Sequence, residues 1–173
     1  MNPVNPVTPV TPVNWADLVP GPPALAPYYD EVPGLTGVRL RSVHADGWGS
    51  CVILRLDLPR FPDRWDGGPG DTLQCQIGFS HVEDFVMEGW RPPVTADIGL
   101  TPLPRNRLAV HVTAPGTEVS FTTVASLTLG KAGVFTQDAD GGDGGPRRHV
   151  RALYDRLYPT LPPTHVNIFY ERA

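Results

Sequence analysis

The sequence predicts a mainly β (α+β) protein: an antiparallel sheet or sandwich of about eight strands, with short helical turns at the N-terminus and one amphipathic helix at the C-terminus. Three observations carry this. Apolar and polar residues alternate in short runs, the period of a strand with one buried face. Pro, Gly, Asp and Asn clusters separate the runs. The connections are too short for the crossovers of a parallel sheet, which need about a dozen residues.

Residues 2–13 read Asn-Pro-Val twice and Thr-Pro-Val twice. Proline at every third position fixes φ, removes backbone donors and matches the polyproline II repeat. A solvated, extended tail is expected, and a proline-rich docking ligand would lack basic anchors. Asn14 suits the cap of a short turn through Trp15, Ala16, Asp17 and Leu18, with Asp17 in its first turn. A second short turn over 22–29 is broken by Pro27. Together these segments should form a lid over one end of the core.

From Val38 the period becomes two. Val38, Leu40 and Ser42 alternate with Arg39 and Arg41. Val52, Leu54, Leu56 and Leu58 alternate with Ile53, Arg55 and Asp57. Leu73, Cys75, Ile77 and Phe79 form one face of the next run, and Thr72, Gln74, Gln76 and Gly78 the other. Similar runs follow at 85–88, 94–100, 108–113, 118–124 and, more weakly, 126–129. Asp46-Gly47 is a hairpin signal. Residues 59–70 make a longer Pro/Gly/Asp loop.

The stretch 138–145, Asp-Ala-Asp-Gly-Gly-Asp-Gly-Gly, reads as a flexible linker. Pro146 suits the first position of a helix. Val150, Leu153, Tyr154 and Leu157 then recur at helical spacing until Pro159. Residues 165–170 alternate again as a last strand. The expected organisation is a tail over 1–13, a β domain over 14–137, a linker over 138–145, and a helix and strand over 146–173 packing on the domain.

A chain of 173 residues suits one domain. With 40% hydrophobic residues it has material for a core despite its 21 prolines and 18 glycines. Two cysteines are too few for a disulfide scaffold and lack metal-ligand spacing. The N-terminus lacks the basic and apolar blocks of a signal peptide, and no apolar stretch could span a bilayer. A cytoplasmic location is expected. The net charge of −4 and scattered arginines argue against nucleic acid as a partner. The skew of 13 Arg to one Lys reflects codon usage rather than chemistry.

No catalytic constellation emerges. Gly78-Phe79-Ser80-His81-Val82 has the first glycine of a hydrolase elbow without the second. Ser80 and His81, as neighbours in a strand region, should point to opposite faces. His44, His81, His111, His149 and His165 form no metal-binding frame. A calcium loop starting at Asp138 fails, because Asp143 stands where glycine is needed and His149 where glutamate is needed. No phosphate loop surrounds Lys131. No cofactor or metal is expected.

Carboxylates remain. Asp57, Asp63, Asp66 and Asp71 flank the long loop, with Glu83, Asp84 and Glu88 beyond. One reading is solvated turns and outward strand positions. The other is an acidic patch beside Trp65 and Trp90, suited to a basic partner, since charge steers encounter and aromatics anchor.

Several stretches resemble the immunity protein 50 family of bacterial polymorphic toxin systems. They are Trp15-Ala16-Asp17-Leu18, Pro33-Gly34-Leu35-Thr36-Gly37-Val38-Arg39-Leu40, and the run from Leu54 to the Phe61-Pro62-Asp63 turn with Trp65 after it. Asp71 to Phe79, Val82-Glu83-Asp84-Phe85 and Glu88-Gly89-Trp90 follow in order. The resemblance covers residues 15–121 and omits the repeat and the region from 138. It implies a small cytosolic antidote that binds a cognate toxin domain, with no catalytic residues. On this reading the protein is no enzyme. The expected toxin-binding residues are Asp63, Trp65, Asp66, Glu83, Asp84, Glu88 and Trp90, with the tryptophans as anchors. Full burial of Trp90 would make it a packing residue. The alternative is a small-ligand-binding β domain or an uncharacterised hydrolase, with a His and a carboxylate converging in a pocket.

Overall fold

A computed structural model of the chain describes residues 13–91, 94–142 and 147–150. The alternating runs form strands β1 (Val38–Asp46), β2 (Cys51–Asp57), β3 (Thr72–Phe79), β4 (Glu83–Glu88), β5 (Val94–Leu103), β6 (Arg107–Ala114), β7 (Thr117–Val124) and β8 (Leu127–Leu129). Two short strands not anticipated from the sequence follow: β9 (Gly133–Phe135) and β10 (Arg148–His149). All of them join one open antiparallel sheet in the order β10-β9-β3-β2-β1-β5-β6-β7-β4, with β8 beside the end of β3.

Register follows the apolar pattern. Leu40 stands opposite Leu56, Leu56 opposite Cys75, and Leu54 opposite Ile77, so one face of β1, β2 and β3 is continuous and apolar. In the other half, Val110 faces Phe121 across β6 and β7, and Val112 faces Val119. These side chains are all buried. Burying each contributes about 1.5–3 kcal/mol.

β3 and β4 lie far apart in strand order, yet residues 80–82 alone join them. The sheet must therefore curl until β7 lies across from β3. Phe79 meets Phe121 edge-on at 5.1 Å, Val82 N–H donates to the Ser50 carbonyl at 2.8 Å, and Val124 N–H reaches the Ser80 carbonyl at 3.4 Å.

Of the two N-terminal turns, the first forms as a 3₁₀ turn, and the second runs through Pro27 rather than breaking at it. Asn14 Oδ1 accepts from Ala16 N–H at 3.1 Å and caps a 3₁₀ turn over Trp15–Leu18. Buried Trp15 donates Nε1–H to the Pro33 carbonyl at 2.9 Å. Residues 22–29 supply a hydrogen-bonded turn at Tyr28 and bury Leu25 and Tyr29.

The C-terminal helix is corrected at its start. Arg148 and His149, placed by spacing in its first turn, instead pair antiparallel with Val134 and Gly133. Backbone donors and acceptors offered by the edge of β9 outcompete a helical nucleus that fixes several residues for one bond. The rest of that helix, the last strand over 165–170 and nearly all of the Pro-Val repeat lie outside the described residues.

A second departure concerns the polar face of β2 and β3. Arg55, Asp57, Gln74 and Gln76 were expected to be outward, but all four are buried. A bulge at Arg41, between Leu40 and Ser42, turns its guanidinium onto Asp57. This half of the sheet is covered on both faces.

Candidate functional site

Solvent reaches the sheet at its other end. β4 pairs with β7 alone and is the terminal strand. Glu83, Asp84, Phe85, Val86 and Glu88 are exposed, and only Met87 is half-buried. A bulge between Glu83 and Val86 breaks the ladder, with Asp84 at φ 55°. Phe85 rests 6.1 Å from Phe121 but keeps 38% of its surface exposed, and Val86 keeps 51%.

The acids of β4 differ in their partners. Glu83 accepts from Arg107 Nη2 at 2.9 Å, and the same nitrogen bonds Thr122. Glu88 stands directly opposite Glu118 in the ladder. Like charges in that position destabilise a sheet. His111 Nε2 lies 2.9 Å from Glu118 Oε1, and Glu88 and Asp84 have no ion pair among the described residues.

Beside the start of β4 lies the tip of the β1–β2 hairpin. Here Trp48 is wholly exposed, at 101%, with its N–H bonded to Asp46 Oδ1 at 2.9 Å. An open, mainly apolar cleft of about 260 Å³ separates the tip from β4; Ala45, Cys51, Val52, Val82 and Phe85 line it.

Asp63, Trp65 and Asp66 form a different place. They line an open cavity of about 550 Å³ with Pro27 and Tyr28. Trp65 packs on Tyr28 at 5.5 Å and donates Nε1–H to the Gly68 carbonyl at 2.9 Å. Asp63 is ion-paired with Arg60 and accepts from Asp30 N–H at 2.8 Å, which holds its carboxyl below the usual carboxylate range. Arg64 is paired with Asp30. These charges brace the loop against the lid, and Asp66 remains exposed.

The structure therefore does not unite the seven expected residues. The long loop leaves β2 after Asp57 and enters β3 at Thr72, whereas β4 starts beside Ser50 at the opposite end of β2. A seven-residue strand spans about 20 Å. Trp65 and Trp90 are both half-buried and pack against the core, so neither is an open anchor. The fully exposed tryptophan is Trp48. Its sequence signal was available: a tryptophan within Asp46-Gly47-Trp48-Gly49-Ser50 sits in a turn and has no buried strand face to occupy.

Ser80 and His81 do meet, at 3.4 Å between Oγ and Nδ1. The alternation argument fails because they lie in the β3–β4 connection, with His81 at φ 53°. Among the described residues no carboxylate orients that imidazole as a nucleophile–base pair requires. No group of His, Cys, Asp or Glu that could hold a metal occurs among the described residues. No described helix is long and apolar enough to cross a membrane.

No family model, curated protein or solved structure matches the chain.

Proposed function

We propose that the protein is a cytoplasmic immunity protein that neutralises a cognate bacterial toxin domain by stoichiometric binding, without making or breaking a bond. One observation supports this above the others: the terminal strand β4 presents two apolar and three acidic side chains to solvent within six residues. Apolar groups contribute affinity and carboxylates contribute steering, the pairing expected of a docking edge for a basic protein. A standard interface buries roughly 800 Å² on each partner, more than β4 alone offers. The β1–β2 tip with Trp48 and the open face of β6 and β7 adjoin it. Asp63, Trp65 and Asp66 belong to a separate surface about a strand's length away.

The test is co-expression with the C-terminal domain of a toxin encoded beside this gene. Growth should be rescued and an equimolar complex recovered, with no turnover of any substrate. Failure of both rescue and complex formation would remove the proposal.

A further inference from the structure

The cleft between the β1–β2 tip and β4 has an unused chemistry. Its walls are mainly apolar, whereas acids surround it: Asp46 in its lining at the tip and exposed Asp84 next to the lining residue Phe85, with Glu88 further along β4 at the strand's far end. None of the three has an ion pair among the described residues. Trp48, next to the lining residue Gly47, is fully in water. An indole left wholly exposed gains from a partner what it does not gain from its own fold.

We propose that this cleft seats an apolar side chain of an extended, basic segment of a partner protein, laid along the outer edge of β4. The inference deepens the immunity reading and rests on it for the partner's identity. Charge complementarity selects this occupant. A second copy of the chain would set Asp84 and Glu88 against their own counterparts, and the bulge interrupts a regular self-paired ladder. A strand with lysine or arginine at alternate positions meets the same carboxylates favourably. Its intervening apolar residue falls beside Phe85 and Val52, where Trp48 can close over it. Main-chain bonding to a sheet edge then supplies affinity, and the pocket supplies specificity.

The probe is a short, acetylated and amidated peptide of alternating lysine and threonine with one central leucine. Controls replace the leucine by alanine, or every lysine by glutamate. Trp48 emission and the rate of Cys51 modification by a thiol reagent report occupancy, because Cys51 lines the cleft while Cys75 is buried. The leucine peptide should shift the emission saturably and protect Cys51. The alanine peptide should bind about tenfold or more weakly, and the glutamate peptide should not bind. Trp48→Ser and Val86→Lys, both at exposed positions, should abolish protection with unchanged melting temperature. A leucine peptide that leaves Cys51 and Trp48 unaffected, or controls that bind equally, would overturn the inference. If both variants neutralise the toxin with undiminished affinity, the cleft inference falls and the immunity reading stands. If the peptide behaves as expected but no toxin is neutralised, the immunity reading falls and the cleft inference stands.

Discussion

Replacing Asp57 by alanine should be among the most damaging single changes in the molecule. Asp57 is 3% exposed and lies on the covered outer face of β2. Its Oδ2 accepts from Arg41 Nε at 2.9 Å and from Arg41 Nη2, and its Oδ1 from Gln74 Nε2 at 2.9 Å. Gln74 Oε1 in turn accepts from Arg55 Nε at 2.8 Å and Arg147 Nη2 at 3.0 Å. Phe135 lies 5.9 Å from the Arg41 guanidinium carbon and 5.0 Å from that of Arg147. Without the carboxylate, a guanidinium only 3% exposed loses its counter-charge. Breaking such a pair from one side costs about 3–5 kcal/mol. For a chain of this size that lowers Tm by about 6–20 °C. Asp57→Asn should cost nearly as much, because it keeps the shape and loses the charge. Arg41→Met with Asp57→Leu should recover part of the loss, since the ionic pair competes with well-packed apolar replacements but Gln74 Nε2 loses its acceptor. Urea unfolding followed by circular dichroism measures all three. A cost for Asp57→Ala below about 1 kcal/mol, or a double variant worse than the sum of its singles, would refute the reasoning. Affinity for a partner on β4, per folded molecule, should not change.

Three further outcomes are expected. Glu88→Lys turns the Glu88–Glu118 cross-strand pair from like to opposite charge, so stability should rise by about 0.2–1 kcal/mol while association with a basic partner slows at low salt and little at high salt; unchanged association rates would move the interface away from β4. Asp71 accepts from Gln137 N–H at 2.9 Å and from Thr72 Oγ1–H at 2.7 Å, which lowers its pKa. A lowered folded value contributes stability above the unfolded value and loses it as pH falls through the folded one. Asp71→Asn should therefore melt below the natural protein at neutral pH, with the gap closing below the ordinary carboxylate range; a gap independent of pH would contradict this. Gly89 sits at φ 69°, and a Cβ there would overlap the Gly116 carbonyl oxygen, so Gly89→Ala should cost about 1–3 kcal/mol in thermal unfolding.

The strands were legible because alternation and register are one fact seen twice. Leu73, Cys75, Ile77 and Phe79 alternate in sequence and are all buried in the fold. The turn at Asp46-Gly47 was legible through turn chemistry. What alternation cannot show is whether the polar face is wet. Gln74 and Arg55 read like solvated residues, yet they bond each other under cover. Nor can it show strand order. The separation of Asp63 and Asp66 from Glu83 and Asp84, by contrast, follows from chain order, because β3 runs between them. β9 and β10 are too short to carry a period, and β10 exists through its pairing with β9. Trp48 has no place in the alternation; the signal for its exposure is its position in a glycine-flanked turn.

The two halves of the sheet use their polar residues differently, and on the proposed reading that difference picks out the docking edge. On β2 and β3 the outer face is roofed, and Arg41, Arg55, Gln74 and Asp57 bond one another. Such a layer fixes geometry and offers nothing to a visitor. On β4 and β7 the outer face stays open, and its acids are only partly answered: Arg107 holds Glu83 and His111 holds Glu118, while Asp84 and Glu88 face water. A sheet edge normally carries charge and a bulge to prevent unwanted pairing. Those devices here are acidic throughout, so they repel another copy of the chain and most proteins of like charge while admitting a basic strand. Protection of the edge and choice of partner are then one property. Exposed Phe85, Val86 and Trp48 would endanger solubility on an unguarded edge, and the guard lets them remain available for binding.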